Sequence, residues 1–132
     1  MAGLSSAMTA YHNFLWADAE LLGVAVDYEN LSLTLRESTG QIRRVVCEGY
    51  IGYEALGVWD EMVVAEARLS DAGPFLNRCV EDIERRLGAT RLASGSEARN
   101  GGTAMELTLV MSDGCETRIA MKGLRLDPVE RI

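Results

Sequence analysis

One histidine, one lysine and three cysteines are all that this 132-residue chain holds of those types, and each shortage closes off a class of function. A lone His12 lacks the companion ligands that zinc or iron centres use. As a catalytic imidazole it would need a neighbouring nucleophile or acid, and no motif supplies one beyond Asp18 or a stray cysteine. Cys47, Cys79 and Cys115 are odd in number and far apart, with no CxxC spacing. That pattern argues against a disulfide framework and a thiolate zinc site, and reads as small core residues in a reducing compartment. Apolar runs are short as well. Leu21 to Val26 and Met62 to Ala65 fall far below the roughly 20 residues of a membrane span. No basic stretch followed by an apolar core opens the chain, so no secretory signal is expected and the cytoplasm is the default location.

Phosphate-binding and nucleophile motifs are missing too. Gly49, Gly52 and Gly57 do not fit GxGxxG, nothing fits GxxxxGK[ST], and no serine sits in a GxSxG elbow. No cofactor is implied. Acidic residues outnumber basic ones by 20 to 13, for a net charge of -7. That balance disfavours nucleic acid and anionic lipid, which need clustered Lys and Arg, and makes a basic protein the natural electrostatic partner. Carboxylates come in pairs, but Asp60 and Glu61 as strand neighbours would point to opposite faces and make a poor acid-base couple. Glu81, Asp82 and Glu84 alternate with Arg78, Arg85 and Arg86 at helical spacing, the pattern of a solvated face.

What is present is an ordinary globular composition, 48% hydrophobic and 25% charged, of a size for a single domain over residues 1–132. Residues 1–13 show no sustained period and read as a loose N-terminal segment. Leu22, Val24, Val26 and Tyr28 alternate as in a half-buried strand. Glu29-Asn30 then forms a turn in which Asn30 could take a positive φ, and Leu31, Leu33 and Leu35 resume the period of two. Residues 41–54 form one long extended stretch, and a fourth strand runs from about Glu61 to Leu69. The period switches at Pro74: Phe75, Leu76, Cys79, Val80, Ile83 and Leu87 make a helical stripe, with Ser70 or Asp71 as its cap and Gly88 as its stop. Residues 89–102 read as a flexible loop. Met105, Leu107, Leu109 and Met111, the Asp113-Gly114 turn, then Thr117, Ile119 and Met121 form a hairpin, and Leu124 and Leu126 extend the last strand to Asp127-Pro128.

The expected fold is therefore α+β: an antiparallel sheet of about six strands, a meander of four, one helix, then a hairpin. Gly49, Gly52 and Gly57 predict strong curvature, with a flattened barrel or a sandwich carrying one packed helix as the alternative.

Three segments, WADAEL (16–21), VDYENLSLTL (26–35) and EGYIGYEALGVWDE (48–61), make the first half of the chain resemble a group of small bacterial α+β proteins without assigned chemistry, marked by a strand closing in Trp-Asp-Glu. The resemblance implies the fold and brings no catalytic residues. Some proteins of this kind look like immunity proteins of bacterial toxin systems: small, acidic and motif-poor. The expected function is accordingly a non-catalytic protein-binding domain, with an acidic surface that neutralises a basic toxin or nuclease domain. The alternatives are a small-ligand-binding protein or minor enzyme with an aromatic pocket, and a homodimer joined through a strand edge. Candidate binding residues are Tyr50, Tyr53, Trp59, Asp60, Glu61 and His12.

Overall fold

The computed structural model describes residues 2–27, 29–56, 62–91 and 104–128. Along the chain come α1 (Ala2–His12), β1 (Glu20–Val26), β2 (Asn30–Arg36), β3 (Ile42–Glu48), β4 (Gly52–Leu56), β5 (Val64–Ser70), α2 (Pro74–Arg91), β6 (Met105–Met111), β7 (Glu116–Met121) and β8 (Gly123–Pro128). All pairings are antiparallel, in two four-stranded sheets ordered β1-β2-β3-β8 and β4-β7-β6-β5. The α+β antiparallel class stands, but the described residues hold eight strands and two helices rather than six and one. The barrel does not close. The sheets remain separate ladders that meet where Glu20 of β1 bridges Val63 just before β5, flanked by backbone bonds from the Leu21 N–H to Met62 O at 2.6 Å and from the Val64 N–H to Ala19 O at 2.7 Å.

The extra strands come from a corner. At Gly49 the backbone takes φ of 59°, the left-handed region that glycine enters most freely, and the stretch expected over 41–54 is cut there. β3 ends in the first sheet and β4 begins in the second. The partner ribbon bends at the same place, with β7 in the second sheet and β8 in the first. Pairing persists through the bend, since the Ile51 N–H donates to Ala120 O at 2.7 Å and the Lys122 N–H to Glu48 O at 2.9 Å. The meander is thus three strands long, and the fourth has changed sheets. Gly57 and the rest of 57–61 lie outside the described residues, as does most of the expected 89–102 loop.

Between the sheets sits one apolar cluster. Leu31, Leu33, Leu35, Val45, Cys47 and Leu124 come from the first sheet, and Val64, Ala67, Leu107, Leu109, Ile119 and Met121 from the second. Each fully buried Leu or Ile contributes about 1.5–3 kcal/mol. Bulges at Leu21/Gly23 in β1 and Val64/Glu66 in β5 shift the alternation, so that Leu21 and Val24, and likewise Val64 and Ala67, reach the same core. The turn before β2 is closed by the Asp27 carboxylate, which accepts from the Asn30 and Glu29 N–H groups at 2.8 and 2.9 Å. Those bonds, that from Asn30 first, lower the Asp27 pKa. Asn30 itself does not take a positive φ.

The loose segment expected over 1–13 is instead helical. Its apolar stripe is weak, but Ala7 is fully buried in the common core and Ala10 packs against it. Small residues let the backbone of α1 approach β8, and tertiary packing outweighs the missing periodicity. α2 covers the outer face of the second sheet through Leu76, Phe75, Cys79 and Val80 against Ile51, Ala104 and Ala120. Its cap is not Ser70 or Asp71. Buried Glu106 on β6 accepts from the Leu76 N–H at 3.0 Å and from the Thr108 hydroxyl at 3.1 Å, placing a carboxylate at the positive end of the helix. The helix also runs past Gly88 to Arg91, carried by the helix-tolerant Ala89-Thr90-Arg91.

A Cβ on Gly52 would lie 2.2 Å from the Cys79 Sγ and 3.3 Å from Phe75 Cζ. Gly52→Ala is therefore expected to destabilise by about 1–3 kcal/mol in chemical denaturation, and by clearly less in a Cys79→Ala background. The Thr117 hydroxyl is buried without a hydrogen-bond partner. Thr117→Val should raise the unfolding midpoint, by the ~1–3 kcal/mol that an unsatisfied buried hydroxyl costs.

Candidate functional site

The residues singled out from sequence do not converge. Tyr50 stands in the corner, half-buried against the core, its N–H donating to Glu29 O at 3.3 Å. Tyr53 lies on β4 opposite Ile119 and is 39% exposed. His12 ends α1, and its ring meets Tyr11 edge-on at 5.1 Å. No ring contact joins Tyr50, Tyr53 and His12. Trp59, Asp60 and Glu61 lie outside the described residues.

What the fold does assemble is the junction between α1 and β1. Phe14 and Trp16 stack edge-on at 4.6 Å, and Tyr11 lies 5.8 Å from Trp16. Two hydrogen bonds fix the group: Trp16 Nε1 donates to Tyr11 O at 2.9 Å, and the Tyr11 hydroxyl donates to Ala67 O on β5 at 2.6 Å. The chain then turns tightly, the Ala19 N–H reaching Trp16 O at 3.0 Å. Asp18 takes φ of 66° and donates its N–H to Val64 O at 2.7 Å. A groove of about 550 Å³ results, lined by Tyr11, Phe14, Leu15, Trp16, Asp18 and Glu66 among others. Leu15 projects 54% exposed beside it. Asp18 makes no ion pair, and Glu66 has only a loose one with Arg68 at 3.9 Å. The arrangement is an apolar floor with an acidic rim. Its signal in the sequence is the density of rings in YHNFLW, residues 11–16, the segment expected to be a loose lead-in.

A second, polar groove of about 700 Å³ runs beside α1 and β8, lined by Ser6, Asn13, Arg43, Glu48 and Arg125 among others. Its charges are already answered. Arg125 is gripped by Asp127 through two bonds of 3.0 and 3.1 Å and by Glu48 at 2.6 Å. Arg43 donates to Asn13 O at 3.1 Å and lies 3.8 Å from Glu37, a carboxylate only 5% exposed that also accepts from the Leu15 N–H. These bonds tie the α1–β1 junction to the β2–β3 hairpin. They leave the groove fit for neutral polar groups rather than for a strong anion.

The same bookkeeping holds over the surface. Of the arginines whose side chains are described, Arg44 alone has no ion pair. Asp18, Glu29, Asp71, Glu81 and Glu84 face outward without one. Among the described residues, carboxylates without an ion pair thus outnumber the unpaired cations Arg44 and Lys122. Among the described residues no three of His, Cys, Asp or Glu gather as metal ligands, and no helix is long and apolar enough to cross a membrane. Buried Cys47 has its thiol pKa pushed up to about 12 by burial, which keeps it protonated and unreactive. No family model, curated protein or solved structure matches the chain.

Burial, with the Glu66 charge adding to it and Arg68 opposing it, raises the Tyr11 pKa. A raised phenol holds its proton more firmly in the folded state, so this stabilisation is complete below the ordinary value of about 10 and fades as pH rises through the Tyr11 pKa. Unfolding free energy measured between about pH 9 and 11 should fall. Tyr11→Phe should lessen that fall while lowering stability near neutrality by about 0.5–1.5 kcal/mol for the lost bond to Ala67. Cys47, Cys79 and Tyr53, whose pKa values burial also raises, supply the slope that is left.

Proposed function

We propose that this protein is a non-catalytic protein-binding domain that takes a basic partner, in the manner of an immunity protein blocking a toxin or nuclease domain. The observation that carries the proposal is the groove at the α1–β1 junction. Exposed Leu15 and the aromatic floor supply the dry centre of an interface, and Asp18 and Glu66 supply a rim that fits Lys or Arg. An arginine lying along Tyr11 would keep its stem on the ring and its head at the carboxylates. The rest of the described surface favours the same class of partner, because all but one of the arginines whose side chains are described are ion-paired within the molecule. Complementary charge then speeds encounter and sets orientation. His12, whose ring meets Tyr11 edge-on, borders this surface.

Co-expression with a basic toxin or nuclease domain, taken first from any neighbouring gene, tests the proposal. The wild type should restore growth, and purified protein should bind that domain with an affinity that falls as salt rises. Leu15→Asp and Asp18→Lys should each weaken binding by at least about tenfold with little change in melting temperature. Absence of binding by the wild type, or binding indifferent to both substitutions, rules the proposal out.

A further inference from the structure

The groove at the α1–β1 junction is walled by three segments of the chain. Residues between Tyr11 and Asp18 form the first. Ala65, Glu66 and Ala67 of β5 form the second, fastened to the first by the Asp18 N–H on Val64 O and the Tyr11 hydroxyl on Ala67 O. The third is Ser38, from the turn between β2 and β3 of the other sheet. A side chain joins that turn to the junction: the Glu37 carboxylate accepts from the Leu15 N–H at 3.1 Å.

The turn that carries Glu37 is closed. Its N–H donates to Gln41 O at 2.8 Å and its carbonyl accepts from the Gly40 N–H at 2.7 Å, with Gly40 at a φ of 98° that favours glycine. Glu37 therefore reaches the junction from a fixed base, and it does so from inside, being 5% exposed where Leu15 is 54% exposed. Arg43 stands behind it, 3.8 Å from the carboxylate and donating to Asn13 O at 3.1 Å. Asn13 and Leu15, on either side of Phe14, are thus both gripped from the β2–β3 hairpin. As a stabilising pair the two charges are poorly made. Their contact is loose, and among the described residues the Arg43 Nε is buried without a hydrogen-bond partner. A buried ion pair repays its desolvation only when close and fully bonded, and rules broken in this way concentrate where geometry serves function.

We propose that Glu37, with Arg43 behind it, is the positioning residue of the groove: it holds Leu15 and Ser38 in the shape that a basic partner meets, without touching the partner itself. The inference rests on the reading of this groove as the partner's site and names what sets its shape. Holding the segment in advance removes an ordering cost from binding. A released junction that adopts the binding shape for only about a tenth of the time lowers the apparent affinity about tenfold.

Two substitutions separate the bond from the charge. Glu37→Ala removes the acceptor, Glu37→Gln keeps one at the same size, and both lose the same charge. In the free protein Glu37→Ala should speed amide exchange at Leu15 by at least about tenfold, and Glu37→Gln by clearly less. Gly52→Ala, which strains the packing of α2 on the second sheet, is the control: it should lower the melting temperature and leave Leu15 exchange near wild type, because that amide opens locally. A hexa-arginine peptide serves as the basic probe, followed through the amide shifts of Leu15, Asp18 and Glu66. Glu37→Gln should saturate close to wild type, and Glu37→Ala at about tenfold higher concentration. Arg43→Gln, which leaves Glu37 its bond but no counter-ion, should show both changes to a smaller degree and stands in for Glu37→Ala should that variant not fold. Leu15 protection equal to wild type in Glu37→Ala, equal affinity of Glu37→Ala and Glu37→Gln, or the same two changes in Gly52→Ala overturns the positioning role. Failure of the groove reading looks different: the peptide shifts none of the three amides of the wild type while the exchange pattern at Leu15 holds, which removes the basic partner and keeps the hold of Glu37 on the groove.

Discussion

At Gly49 a single left-handed residue turns a ribbon out of one sheet and into the other, and the order of both sheets follows from that bend. Because β3 and β4 are successive halves of one run, and β8 and β7 successive halves of its partner, each sheet receives half of the same two-stranded ribbon. β2 and β1 then extend the first sheet from the β3 side, and β6 and β5 extend the second from the β7 side. The sheets are held face to face by a shared covalent corner before any core contact is made. The hydrogen bonds of Ile51 and Lys122 through the bend mean that turning the corner leaves few backbone groups unsatisfied, which is the main cost of bending a buried strand.

Gly49 was visible in the sequence as a site of curvature, but not as a change of sheet. In the sequence the alternation of Val45, Cys47, Gly49, Ile51 and Tyr53 predicts one shared face, whereas Val45 and Cys47 enter the core between the sheets and Ile51 packs under α2; a period of two carries no information about which ladder a strand joins. The β6–β7 hairpin was fully legible because strict alternation and Asp113-Gly114, with φ of 93° at the glycine, agree. α1 was not legible. Its helix rests on the close approach of Ala7 and Ala10 to β8, a tertiary effect that leaves no amphipathic stripe to read. The cap of α2 was misplaced for a similar reason: Glu106 reaches the helix from thirty residues away in sequence, where a local search finds only Ser70 and Asp71. Of the candidate groove, His12 adjoins Tyr11 in sequence, but the aromatic floor was hidden in a segment that lacked periodicity.

Charge follows the same division between local pattern and assembled structure. The sequence states an excess of seven negative charges without saying where it falls. In the folded chain arginines are spent on cross-strand partners, Arg36 on Glu20, Arg118 on Glu54 and Arg125 on Glu48, and on neighbours along their own strands, Arg118 on Glu116 and Arg125 on Asp127. Exposed pairs of this kind add little stability, typically below about 1 kcal/mol each. They cancel positive against negative charge, so the net excess is carried by the carboxylates that no arginine meets.

The junction that forms the candidate groove is also the part that seals the sandwich. Tyr11 reaches β5, Asp18 reaches Val64, the Leu15 N–H and Asn13 carbonyl meet Glu37 and Arg43 of the β2–β3 hairpin, and Ala7 closes the core beside β8. One segment of about a dozen residues therefore touches both sheets at edges the corner cannot reach. A partner seated on Leu15 and Asp18 would press on that seal, so its binding energy would add directly to the stability of the closed form.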